Sequence, residues 1–115
     1  MSLPQLNALQ TPEEREKLFA QARKASELLK ALSHEDRLLI LCLLTEGEKS
    51  VSELEDTMGM PQAAVSQQLA RLRFDRLVTT RRDGRVIYYS LASKEVAPVI
   101  STLYDLFCAP IRQKE

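Results

Sequence analysis

Two kinds of side chain in this chain could do chemistry: a pair of thiols, Cys42 and Cys108, and a run of amides and guanidiniums between residues 62 and 85. A thiolate is a nucleophile and a soft metal ligand. The cysteines lie far apart in sequence, so neither a CxxC redox motif nor a zinc-knuckle spacing is present. In a reducing compartment they should rest as thiols. Burial in an apolar helix raises a thiol pKa, and a helix C-terminus disfavours an anion, so neither cysteine advertises reactivity. From the residues alone, a structural role and a reactive one both stay open.

The amides and guanidiniums suit a different partner. Residues 61 to 90 carry Arg71, Arg73, Arg76, Arg81, Arg82 and Arg85 against Asp75 and Asp83, a local +4 within a chain of 115 residues whose formal net charge is zero. Residues 1 to 60 hold a local −4, so the neutral total conceals one cationic module. Phosphate is the polyanion that such a module fits. Glutamines at 62, 67 and 68 can each bond adenine at two atoms, and Arg71 can reach guanine or a phosphate. Gln62, Ser66, Gln67, Gln68 and Arg71 are expected in a DNA groove, and Arg81, Arg82 and Arg85 at phosphates or in the minor groove.

The elements that must position these groups can be read in order. Thr11 followed by Pro12, Glu13 and Glu14 announces a helix start, and the helix should run to about Leu32. Leu18, Ala22, Ala25, Leu28, Leu29 and Leu32 form its apolar stripe, which suits a dimer interface. Ser33 can cap a second helix from His34 to about Thr45, whose LLILCLL centre must be buried, with Gly47 ending it. Ser50 and Glu53 form a capping box that opens a short helix to about Met58, closed by Gly59 in the left-handed conformation.

Pro61 then suits the first turn of a helix that buries Val65, Leu69 and Leu72 and turns Gln62, Ala63, Ser66, Gln67 and Arg71 outward. LVTTRR and RVIYYSL read as strands joined by a type I′ turn at Asp83-Gly84. A last helix from about Glu95 to Cys108 is closed by Pro110. The order α-α-α-α-β-β-α is a mostly helical winged helix-turn-helix, whose second helix-turn-helix element enters the major groove. One domain over residues 11 to 110 is expected, with flexible ends at 1–10 and 111–115. No apolar run approaches a membrane span and no secretory signal is visible, which predicts a cytoplasmic protein.

The segments LLKALSHEDRLLILCLLTEGEKSVSELE and MPQAAVSQQLARLRFDRLVTTRRDGRVIYYSL resemble the ArsR/SmtB family of dimeric winged-helix repressors, over nearly the whole chain. The resemblance implies a homodimer through the first and last helices, with two recognition helices on successive major grooves of a palindromic operator in double-stranded DNA. It also implies contacts from Ser66, Gln67 and their neighbours. Gln68 stands where many relatives have histidine, Ala63 where they have serine, and Arg76 where they have glycine. Arg76 must then adopt a left-handed conformation, at a cost on the order of 1 to 2 kcal/mol, or the turn must rearrange.

Many such repressors sense metals. Here the third helix reads SVSELE without a thiol, the last helix has no histidine, and His34 is better placed as a helix cap than as a ligand; no metal or other cofactor is expected. ILCLL around Cys42 and YDLFCAP around Cys108 resemble instead the sulfur-responsive BigR, SqrR and HlyU-like branch. That likeness implies a redox-sensing dithiol at Cys42 and Cys108, with persulfides or polysulfides as effectors that release the operator and derepress sulfide-detoxification genes. A general redox or metal sensor is the alternative. An enzyme is not expected, since no CxxC pair or Gly-rich phosphate loop accompanies either cysteine.

Overall fold

The computed structural model describes residues 11–92 and 96–112. The expected flexible segment 1–10 and the expected helix start at Glu95 lie outside the described residues, as do residues 113–115. Contacts divide the chain into two units, Met1–Lys30 and Ala31–Glu115.

The first unit is nearly all of α1 (Pro12–Leu32). The Thr11 hydroxyl accepts from the Glu14 N–H at 3.1 Å, Glu13 and Glu14 sit at the positive end of the helix dipole, and Lys30 sits at the negative end. Phe19 and Leu29 are exposed in the isolated chain.

The second unit runs α2 (Glu35–Leu44), β1 (Lys49–Ser50), α3 (Val51–Met58), α4 (Gln62–Phe74), β2 (Val78–Asp83), β3 (Val86–Leu91), α5 (Val96–Leu103), a π-helical turn (Tyr104–Cys108) and α6 (Ala109–Arg112). This is a mostly helical winged helix-turn-helix. Ile40, Leu41, Leu54, Val65, Leu69, Leu72, Val96 and Ile100 are 0% exposed, so α2, α3, α4 and α5 share one core. Burying each such side chain contributes roughly 1.5 to 3 kcal/mol.

Several expectations shift. His34, not Ser33, caps α2: its Nδ1 accepts from the Asp36 N–H at 3.2 Å. β1 was not foreseen, because two residues carry no periodicity; it pairs Lys49 with Tyr89 and Ser50 with Tyr88, giving an antiparallel sheet of order β1-β3-β2. The hairpin turn sits one residue later than expected. Asp83 pairs with Val86, which leaves Gly84 and Arg85 as the central residues. Among the two, positive φ falls on Gly84 (64°) alone, the pattern of a II′ rather than a I′ turn.

Pro110 does not close the last helix. A proline ring clashes with the carbonyl four residues back, here that of Leu106. The backbone widens instead into a π-turn, with the Ala109 N–H bonded to the Tyr104 carbonyl, and helical structure continues to Arg112 through residues expected to be loose. Arg76 adopts a positive φ of 61°, so of the two outcomes open at that position the left-handed backbone is the one found.

Candidate DNA interface and thiol pair

The local sequence explains why α4 is held firmly while one of its faces stays open. Ser50 Oγ accepts from the Glu53 N–H at 3.2 Å, and the Glu53 carboxylate accepts from the Ser50 N–H at 3.1 Å, completing the capping box of α3. Gly59, at φ 64° and ψ 31°, ends α3 by donating to the Glu55 carbonyl at 2.8 Å. Pro61 then leads into α4 from an extended conformation. α3, which buries Leu54, packs against α4, which buries Val65, Leu69 and Leu72, and all four side chains are 0% exposed.

On the opposite face of α4, Gln62, Ala63, Gln67, Ala70 and Arg71 are exposed and Ser66 is half-buried. The spacing of 63, 66, 67, 70 and 71 follows one helical face. Alanines among the polar groups let a groove wall approach closely. Arg71 Nε donates to Asp75 Oδ2 at 3.2 Å, an exposed i,i+4 pair that holds the guanidinium near the end of the helix.

Besides Arg71, two more of the side chains expected on DNA are engaged within the protein. The Gln68 amide, half-buried, accepts from Arg37 Nη1 at 3.5 Å, and Arg37 Nε donates to the Ala31 carbonyl at 2.9 Å. Gln68 therefore points toward α2 rather than outward. The Arg81 guanidinium reaches Glu48, with Nε at 3.1 and 2.9 Å from the two carboxylate oxygens and Nη2 at 2.5 Å from Oε1. Its carbon lies 4.6 Å from the centre of the Tyr88 ring. The Arg81 hydrogen bonds hold the Glu48 carboxyl below the ordinary range, and the Glu48 carboxylate raises Arg81 in turn.

Arg82 and Arg85 are exposed on the wing, and among the described residues neither side chain has a hydrogen-bond or ion-pair partner. Sequence reasoning missed Glu48 and Arg37. Their partners lie about thirty residues away, and no periodic pattern links positions at that distance.

The two thiols come together. Cys42, on α2, is 5% exposed, and Cys108, the last residue of the π-turn, is half-buried; both are free. The Cys42 thiol is pushed up from 9.0 to about 11, first by burial, then by the charge of Cys108, then by a side-chain hydrogen bond with Cys108. Cys108 thus lies near enough to act on the Cys42 thiol. Among the described residues no group of three or more His, Cys, Asp or Glu is arranged to hold a metal ion. Nor is any described helix long and apolar enough to cross a membrane.

Comparison with known proteins gives this geometry a family. The family model for bacterial regulatory proteins of the arsR family matches residues 34–80, which covers α2, α3, α4 and the start of the wing. The chain is 43% identical over 99 residues to the biofilm growth-associated repressor of Xylella fastidiosa, covering 86% of this chain and 87% of that one. It is 47% identical over 85 residues to the transcriptional activator HlyU of Vibrio cholerae, covering 74% and 79%.

Solved structures agree. Reduced HlyU from Vibrio cholerae superposes with a TM-score of 0.77 at 43% identity, over 81% of this chain and 98% of that one. The transcriptional repressor BigR from Xylella fastidiosa gives 0.76 at 44% identity, over 84% and 95%. The chain thus belongs to the arsR family of bacterial regulatory proteins, in its BigR- and HlyU-like branch, and is a transcriptional regulator with a DNA-binding helix-turn-helix rather than an enzyme.

Proposed function

We propose that the protein is a dimeric repressor that binds palindromic operator DNA and is released when reactive sulfur species oxidise Cys42 and Cys108. The observation that carries this reading is the thiol pair: two free cysteines, one on α2 and one at the end of the π-turn, with Cys108 near enough to raise the Cys42 thiol. Gln62, Ser66, Gln67 and Arg71 read the major groove, and Arg82 and Arg85 hold the backbone. The second protomer is a copy of this chain, joined through the first and last helices, where Phe19, Leu29, Leu106, Phe107 and Ile111 stand exposed in the isolated chain.

The different environments of the thiols assign them different tasks. Cys108 is the more accessible, so its thiolate takes sulfane sulfur from a persulfide RSSH and releases RS⁻, leaving Cys108–S–SH. The Cys42 sulfur then attacks the sulfur bonded to the Cys108 Cβ. The S–SH bond breaks, HS⁻ leaves with the Cys42 proton as H2S, and a Cys42–Cys108 disulfide remains. A cross-link between α2 and the last helix displaces the dimer interface and with it the spacing of the two recognition helices. A coupling of about 1 to 3 kcal/mol changes operator affinity roughly 5 to 150-fold.

The nearness of the thiols also favours a second reading, a general redox sensor in which peroxide makes the same disulfide through a sulfenic acid. The test is fluorescence anisotropy of reduced protein on the DNA upstream of its own gene, before and after a persulfide donor, peroxide or zinc, with mass spectrometry of the same samples. Release by the persulfide donor alone, lost in Cys42→Ser and Cys108→Ser, is expected. Release by peroxide supports the general redox sensor, and release by zinc refutes both thiol readings.

A further inference from the structure

The wing carries three arginines in sequence, Arg81, Arg82 and Arg85, but the sheet treats them differently. Side chains alternate along a strand, so Arg81 and Arg82 leave β2 on opposite faces. Arg81 pairs across the ladder with Tyr88 on β3, the central strand, and Ser50 on β1 pairs with the same Tyr88 from the other side. The Arg81 side chain lies over the Tyr88 ring and ends on Glu48, the residue just before β1. One guanidinium therefore straps all three strands, from the β2 edge across β3 to the β1 edge. β1 leads directly into the capping box of α3, so the strap joins the wing to the start of the helix-turn-helix.

We propose that Glu48 is a positioning residue that holds Arg81 across the sheet and away from the DNA backbone, leaving Arg82 and Arg85 as the phosphate contacts of the wing. The inference rests on the DNA-binding reading above and extends it to the choice of contacts. Its physical basis is competition. A carboxylate that engages Nε and Nη2 of Arg81 in a two-pronged pair occupies the donors that would grip a phosphate, while the Tyr88 face holds the guanidinium from the side. The side chains of Arg81 and Glu48 are 54% and 35% exposed, so the pair adds little to stability. Its consequence lies in where positive charge is offered. A freed Arg81 would bind any phosphate whatever the sequence, which raises non-specific affinity and lowers discrimination.

The experiment measures the salt dependence of binding by the full chain to an operator duplex and to a random duplex of equal length. The proteins are wild type, Glu48→Gln, Arg81→Gln and the double variant. Each phosphate contact contributes about 0.9 to the slope of log K against log salt. Arg81→Gln is expected to keep the wild-type slope. Glu48→Gln should steepen it by about 0.9 and tighten random-duplex binding roughly five to tenfold near 0.1 M salt. The double variant should return to the wild-type slope.

A shallower slope in Arg81→Gln shows that Arg81 already touches phosphate and overturns the proposal. So does an unchanged slope in Glu48→Gln. A gain that persists in the double variant also overturns it, since loss of acid repulsion alone then explains the effect. A wild-type protein that binds neither duplex refutes the DNA reading itself, and the assignment of Glu48 falls with it. All substitutions are at the surface, and thermal unfolding of each variant verifies that the fold is kept.

Discussion

Raising the pH should expose the unequal character of the two thiols. Cys42 is 5% exposed and its pKa is pushed from 9.0 to about 11, with burial as the largest cause. At pH 7.5 an ordinary thiol with pKa 9.0 is about 3% thiolate and one with pKa 11 about 0.03%, a hundredfold difference. Alkylation by iodoacetamide, followed peptide by peptide in the mass spectrometer, should give a Cys42 rate that climbs tenfold per pH unit through pH 10 and levels only near 11. Restricted access lowers the whole curve but does not move its plateau, so the shape isolates the pKa. Replacing Cys108 by serine removes the second cause and alters the third while leaving burial; the plateau should fall, yet stay above 9.0.

The same shift makes stability depend on pH. Between the unfolded and folded pKa values the native state holds the extra proton, so the contribution of this thiol to stability is full below about 9, declines as pH rises and is gone by about 11. Two units at 1.36 kcal/mol each amount to about 3 kcal/mol, read as the difference in urea midpoints between wild type and Cys42→Ala across that window. A Cys42 plateau at or below pH 9 would refute the argument that burial governs this thiol.

Three further outcomes follow from the packing. Leu69→Ala, at 0% exposure on the buried face of α4, should cost about 2 to 5 kcal/mol in denaturant unfolding, with loss of DNA binding only as the fold is lost. Ser50→Ala breaks the capping box of α3 and should lower stability by about 1 kcal/mol, measured the same way. Arg76→Gly relieves a left-handed backbone at φ 61° worth about 1 to 2 kcal/mol and gives back roughly half through a freer unfolded chain; thermal unfolding should show a small net gain.

Much of the fold was legible because it rests on local signals. The Ser50–Glu53 box, the left-handed Gly59 and the three-and-four spacing of Val65, Leu69 and Leu72 each depend on neighbours within a turn or two, and each stands in the structure. The details that escaped depend on distant partners or on register. Whether the hairpin turns at Asp83-Gly84 or at Gly84-Arg85 is decided by pairing with β3, which in turn is paired with a two-residue strand. Gln68 and Arg81 looked like free polar groups because the sequence does not show Arg37 beside one or Glu48 beside the other. The meeting of Cys42 and Cys108 was implied by family likeness, while the π-turn that precedes it had no visible signal beyond Pro110.

That π-turn makes the place of Cys108 a matter of counting. A π-turn is a helix that has taken in one residue more than its α-helical length, and each residue of an α-helix is worth about 100° of rotation. The same number of residues wound as regular α-helix would carry Cys108 further around the axis, by up to about 100°, whereas deleting one residue would restore the α-helix and leave Cys108 near its present direction. The wide winding of this stretch, as much as its residue count, therefore sets the direction in which Cys108 leaves the helix.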